Sequence, residues 1–275
     1  MKESEKISHT RVDSKNYKNP ACCRKIIEIS SRSNRSVKEL TSLLTGRGIK
    51  RHGKTLVSGK KIVSELIRFN PDIILGWISS ADSVFLPSPV LLDIPCYKVT
   101  KELFRELDIH GTGYPLLVVK VPECVPYQEN KISDNVILMI AFQDPLNVGA
   151  VIRSAAAFAV TSIVLLKEAA SPFHPKSIRA AGTTVFAAKF MEGPSINEVR
   201  SIDRSIIALS PQGIDINSFS FPEHFVLLPG VEGPGLPPGL HPDFMVSIPM
   251  EPNVESLNAS VATSIVLYEW YRLKR

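Results

Sequence analysis

Three segments of this 275-residue chain carry the side chains best suited to chemistry. In DPLNVGAVIRSAAAFAV (144–160), Arg153 is the only charge after Asp144, and its helical neighbours Gly149, Ala150, Ala156 and Ala157 are all small. One guanidinium on a bare strip lets a second backbone or a ligand approach while the cation reaches out. The same pattern fits an Arg that snorkels from a core helix. In FVLLPGVEGPGLPPGLHP (225–242), Gly230, Gly233, Gly235 and Gly239 permit close backbone approach, and Glu232 is the one acid between Glu223 and Asp243. Eight of the 21 prolines fall within residues 222–252 and stiffen that stretch. In VSIPMEPNVESLNASVATSIVLYEW (246–270), a strand turns into an apolar helix. Ser256 or Asn258 suits its N-cap, and the free N–H groups at its start suit an anion or carboxylate.

Taken in this order, the segments resemble the SpoU (TrmH-like) family of RNA 2′-O-ribose methyltransferases in the SPOUT superfamily. The matching strings are N-x-G-x-x-x-R-x-A-x-A-F from Asn147 to Phe158, G-x-E-x-x-G-L from Gly230 to Leu236, and I-P-M…V-E-S-L-N-x-S-V-A from Ile248 to Ala262. K-x-x-R-A-A-G, Lys176 to Gly182, looks like the family's linking element, and the likeness covers about residues 133–271. The chain departs from the pattern at Pro252 and Ala159, where the family usually has Gly.

The resemblance implies an α/β fold whose C-terminal domain is a trefoil-knotted, mostly parallel sheet with helices on both faces. It implies S-adenosylmethionine as cofactor, held in the knot loops, no metal, and a homodimer with the site at its interface. By the same likeness Arg153 meets the 2′-hydroxyl, supported by Asn147, Glu232, Ser256 and Asn258. Backbone near Leu228, Pro229, Gly230, Ile248, Met250 and Leu257 holds the cofactor. Methyl transfer to a hydroxyl is an in-line displacement, so the protein positions two reactants and manages one proton. A guanidinium is a poor base at neutral pH. Either the site changes that for Arg153, or Arg153 orients the hydroxyl and a neighbouring phosphate while another acceptor takes the proton.

Other enzyme classes lack their marks. A Rossmann-type site needs a Gly-rich turn after its first strand, but VILMIAF is followed by QDPLNVG. There is no G-x-S-x-G. His174, in the proline-bracketed SPFHPK, reads as a surface residue. The second reading is an RNA-binding protein that keeps the fold without methyl transfer, which Pro252 favours; a tRNA 2′-O-methyltransferase is a further alternative.

The elements that must position these residues follow from apolar runs alternating with helical patterns. Lys25 to Leu44 reads as helix around a Ser/Asn-rich break, ended by Gly46 and followed by a loop, GRGIKRHGK. TLVSG, DIILGWIS, PCYKV and PLLVVKV read as strands, KKIVSELIRF and KELFREL as helices, the latter capped by Thr100. Beyond Pro122 and Pro126, NVILMIAF, TSIVLL, SIIAL, HFVLLPG and FMVSIP read as buried strands. Asn147 reads as the cap of a helix through Phe158, and a last helix spans about 260–273. Nearly continuous apolar strands predict a mostly parallel sheet. The division is a basic arm over 1–21, a recognition domain over 22–128, with a fainter likeness to L30e-type RNA-binding domains, and a catalytic domain over 129–275.

Charge is segregated. Residues 1–70 hold 17 Lys/Arg against 6 Asp/Glu, whereas the chain as a whole is only +5. Such a basic end is the footprint of a polyanion partner, with Arg47, Lys50, Arg51 and Lys54 as the candidate RNA contacts. A separate recognition domain of this kind favours ribosomal over transfer RNA. Four cysteines without a C-x-x-C pair read as reduced thiols. No secretory signal or membrane span is predicted, so the expectation is a cytoplasmic protein.

Overall fold

The computed structural model describes residues 25–83, 91, 93–200, 203–231 and 235–275. The basic arm expected over 1–21 lies outside them. Two sheets form the frame. The first contains β1 (Ile26–Ile29), β2 (Lys54–Val57), β3 (Ile74–Ser80), β4 (Cys96–Val99) and β5 (Leu116–Lys120), in the order β1-β4-β3-β5-β2. Its helices are α1 (Arg35–Ser42), α2 (Gly46–His52), α3 (Lys60–Phe69) and α4 (Lys101–Leu107). Alternation along β5 divides its side chains. Leu116 and Val118 pack with Leu40 of α1 and Phe104 of α4, while Leu117 and Val119 join Ile62, Val63 and Leu66 of α3.

The N-terminal helix reading needs two corrections. Ile26–Ile29 is a strand, because parallel pairing to β4 suits its β-branched residues better than a helix does. Gly46 opens a helix instead of ending one. Thr45 accepts a bond from the Gly48 N–H and Gly53 closes α2 at φ +62°, so the predicted basic loop is mostly helical. Cys96 is disulfide-bonded, not a thiol.

The second sheet is parallel throughout. It contains β6 (Val125–Pro126), β7 (Val136–Ile140), β8 (Ser162–Leu165), β9 (Lys189–Glu192), β10 (Ser205–Asp215), β11 (Phe225–Leu228) and β12 (Phe244–Ser247). Their order is β12-β10-β11-β7-β8-β9-β6. Helices α5 (Pro145–Ala157), α6 (Pro175–Ala181) and α7 (Ala259–Lys274) share one core with Val136, Leu138 and Ile140. Among the described residues, the helices expected on the other face are replaced by 3-10 turns (Glu129–Lys131 and Ile196–Glu198) and loops, packed on Ile137, Met139 and Val226. The connecting stretches there hold Pro194, Pro229, Pro237 and Pro238, which do not continue a helix.

The core of the second sheet is continuous with the α3 face of the first. The Thr55 hydroxyl, fully buried, donates to the Phe173 carbonyl at 2.6 Å, and Thr183 donates to Glu65 at 3.1 Å. Gly59 is bare where the Arg179 guanidinium lies; a Cβ there would sit 2.4 Å from its Nη1. The two halves are therefore held by polar bonds, one of them buried, as well as by apolar packing. No helix among the described residues is long and apolar enough to cross a membrane.

Candidate active site

The carboxyl ends of β7, β10, β11 and β12 open into a cleft of about 410 Å³, the position at which parallel α/β sheets bind ligands. Asn147, Pro229, Gly230, Ile248, Met250, Ser256, Leu257 and Asn258 all line it. Among its described lining residues none is charged, so recognition there falls to backbone groups, amides and apolar contact. Leu228 is fully buried at the end of β11, under the cleft instead of in it. Glu232 lies outside the described residues.

Each wall has a local cause. The chain leaves β11 at Pro229 and doubles back: Val231 and Gly235 exchange both backbone bonds, each 2.9 Å. A Cβ on Gly230 would come 2.8 Å from the Gly235 carbonyl carbon. Gly230 is therefore required by the loop's own closure, before any ligand enters. After β12, Val254 N–H donates to the Glu251 carbonyl at 3.0 Å, a turn with Pro252 at its second position. Proline's fixed φ suits that position, so Pro252 is compatible with the turn that shapes the cleft.

Sequence reading missed the wall made by Leu209, Ser210 and Pro211. The pairing of β10 with β12 skips residues 210–213, since Leu209 and Ile214 both face Val246. Gly213 allows this excursion; a Cβ there would sit 2.5 Å from the Met245 carbonyl carbon. The signal was the Pro-x-Gly that interrupts the apolar run at a strand's carboxyl end.

Two helix starts meet at the cleft. Asp144, not Asn147, caps α5: its carboxylate accepts from Leu146 N–H at 2.9 Å, with Pro145 at the first helical position. Asn147 is thereby free of the capping duty and sits one turn in. Asn258 caps α7, accepting from Ser260 N–H at 2.9 Å and Val261 N–H at 3.3 Å. Its amide nitrogen donates to Asn147 Oδ1 at 3.0 Å. Ser256 is exposed at the rim.

Arg153 does not join the cleft. It is exposed on α5, six residues beyond Asn147, or about 9 Å along the helix. Its neighbours Ala150 and Ser154 line a second groove of about 450 Å³ between α5 and α7, with Phe158, Val261, Ile265 and Tyr268. Gly149 serves neither cavity: a Cβ on it would lie 2.2 Å from the Ser177 carbonyl oxygen, so it seats α5 against α6. Of the four basic candidates, Arg47 and Arg51 are exposed on α2. Lys50 is paired with Glu192 at 2.7 Å and Lys54 with Glu39 at 2.9 Å.

The model of the SpoU rRNA Methylase family matches residues 134–268. A Syntrophobacter fumaroxidans protein, ribosomal RNA small subunit methyltransferase G 2, is 41% identical over 89% of this chain. The chain spans only 49% of that protein's length. A Bacillus subtilis 23S rRNA (guanosine(2553)-2′-O)-methyltransferase is 28% identical over 88% of this chain and 98% of its own. The crystal structure of the SpoU methyltransferase AviRb from Streptomyces viridochromogenes, in complex with AdoMet, superposes with a TM-score of 0.72. That match is 24% identical and covers 88% of this chain and 98% of that one, which establishes a common fold.

Proposed function

We propose, on the premise that this chain belongs to the SpoU rRNA methylase family, that it methylates a ribose 2′-hydroxyl of ribosomal RNA using S-adenosylmethionine. The observation that carries this is the convergence of residues from three distant segments on one uncharged cleft at the carboxyl edge of a parallel sheet. The cleft fits the cofactor in size and chemistry: about 410 Å³, apolar walls from Leu209, Val246 and Leu257, and a lining stretch from Pro229 to Val231. When bound, the cofactor supplies an electrophilic methyl on a sulfonium.

The protein's own part is placement. Backbone near 228–230, 248–250 and 256–257 holds the adenosine and methionine portions. Asn147, Ser256 and Asn258 supply the polar contacts, and Glu232 belongs to the same set. Arg153, exposed beside the α5–α7 groove, reaches the cleft of a second copy that docks through that groove, giving a homodimer with shared sites. A guanidinium has five donors and no acceptor, so Arg153 orients ribose and phosphate while the hydroxyl proton leaves to another group. We assign residues 22–128 to RNA recognition and 129–275 to catalysis, extend to the chain the trefoil knot that the resemblance implies, and place the protein in the cytoplasm.

Titration calorimetry with S-adenosylmethionine tests the cleft. Saturable binding to the purified chain without added metal is expected. An absence of binding returns the chain to the second reading, an RNA binder without methyl transfer.

A further inference from the structure

Two adjoining helices of the second half, α5 and α6, present cations to solvent in a stretch almost bare of acids. Residues 145–167 and 169–191 contain no Asp or Glu, against Arg153, Lys167, Lys176, Arg179 and Lys189. Glu168, the acid between them, is taken up by the Ser195 hydroxyl and by the Ile196 N–H at 3.1 Å. Arg153 is exposed on α5, and Lys176 and Arg179 are exposed on α6. Among the described residues no ion pair or hydrogen bond engages these three side chains, whereas Lys50 and Lys54 are tied to Glu192 and Glu39.

The fold sets the cations in a row. Gly149 of α5 lies against α6: a Cβ there would be 2.2 Å from the Ser177 carbonyl oxygen and 2.8 Å from the Ala180 Cβ. Arg153 is one turn beyond Gly149 on nearly the same side of α5, so it borders that contact. Ser177 and Ala180 face α5, which leaves Lys176 and Arg179 on the outer surface of α6. Arg179 then reaches the first half, since its Nη1 would stand 2.4 Å from a Cβ on Gly59. Lys60, exposed and next to Gly59, continues the row. Like charges therefore run from α3, over α6, to Arg153. Such a row repels itself in the free protein and is favoured by a polyanion laid along it.

We infer that the outer face of α6 is a track for the RNA backbone, on which Lys176 and Arg179 contact phosphates between the recognition half and Arg153. The inference rests on the functional reading above. There the α7 side of α5 is given to a second copy of the chain, so the α6 side is the approach left to the substrate. Phosphate contacts position a strand and carry no sequence information. Lys176 and Arg179 thus fix the path of the RNA, not the choice of nucleotide.

Arg179→Ala and Lys176→Ala test this with a labelled single-stranded RNA, through the slope of log affinity against log salt. Each is expected to flatten the slope by about 0.7, the value for one lost phosphate contact. Each should also raise KM for ribosomal RNA with kcat and the S-adenosylmethionine Kd unchanged, as a loss of uniform binding does. Arg179→Lys keeps a point charge and should restore the wild-type slope. Lys101→Ala, on α4 and 3.9 Å from Asp82, should leave the slope as it is. An unchanged slope in either alanine variant overturns the track. Equal flattening by Lys101→Ala overturns it too, because any lost cation would then count. Arg179→Lys behaving like Arg179→Ala removes Arg179 from the track and assigns it to seating α6 on Gly59. If Arg179→Ala folds poorly, Lys176→Ala decides alone, since that side chain makes no described bond that folding could lose. A wild-type protein that binds RNA with these slopes but transfers no methyl contradicts the functional reading and leaves the track standing.

Discussion

Lys50 Nζ donates to Glu192 Oε1 at 2.7 Å, linking α2 of the first sheet's layer to the last residue of β9 in the second. The hydrogen bond to Glu192, with its charge, holds the Lys50 ammonium above its usual range. Both side chains remain largely exposed, so the pair adds little to stability, but it occupies one of the cations that the sequence offers to RNA. Lys54 is similarly engaged by Glu39, whose carboxyl is held low chiefly by that bond.

RNA affinity is accordingly expected to depend on Arg47 and Arg51 more than on Lys50. Log affinity against log salt gives the test. Arg47→Ala and Arg51→Ala should each flatten the slope by about 0.7 on single-stranded RNA, the value for one lost phosphate contact, and Lys50→Ala should flatten it less. Equal slopes in all variants would mean that this charge only solubilises the protein.

Ala159 holds φ +59°, the one non-glycine residue with positive φ among those described. It follows the Phe158 cap of α5, and Val160 N–H reaches back to the Ala155 carbonyl at 2.8 Å. This is the left-handed helix end at which glycine is normally found. The family's usual Gly at this position thus has a backbone reason. Ala159→Gly should remove the Cβ strain and raise stability by up to about 1 kcal/mol, after the entropy that Gly adds to the unfolded chain. The urea midpoint reads it, and a lower midpoint refutes it.

His174, read from the sequence as a surface residue, is half-buried and caps α6 with Nδ1, which accepts from Lys176 N–H at 3.2 Å. Burial lowers its pKa, and the nearby Lys176 and His110 add to the effect, against a backbone contact from Leu44. As pH falls below the ordinary imidazole value near 6.5, the unfolded chain takes up a proton that the folded chain resists. Stability present above that value is then lost as pH drops through the depressed folded pKa. His174→Asn keeps a capping acceptor but does not titrate. Urea midpoints between pH 8 and pH 5 should fall less in this variant than in the wild type, and parallel curves would remove His174 from the account.

The sheets were legible because a buried parallel strand is written as an unbroken apolar run; VILMI, SIVL and FVLL each became a strand. β1 and β9 were missed for the opposite reason. IIEI and KFME are four residues each and mix charge into the run, so only their partners β4 and β8 identify them. The cleft was readable where glycine, proline and amide residues cluster near the motif strings. Ser210 and Pro211 were not: Pro-x-Gly marks an interruption of the run, but their entry depends on a register shift between β10 and β12 that this local signal does not place. The exposed side of Arg153 was legible as a bare strip, but its distance from the cleft belongs to the placement of α5.

Labelled methyl transfer tests the central claim most directly. The purified chain is incubated with methyl-labelled S-adenosylmethionine and ribosomal RNA, and the RNA is digested to nucleosides. The account predicts label in a 2′-O-methylnucleoside, most of it lost in Arg153→Ala and in Arg153→Lys while cofactor binding persists, because the guanidinium fork aligns the RNA and the cofactor lies on other loops. Label on a base, no label from a chain that binds the cofactor, or near-normal transfer by Arg153→Ala would contradict it.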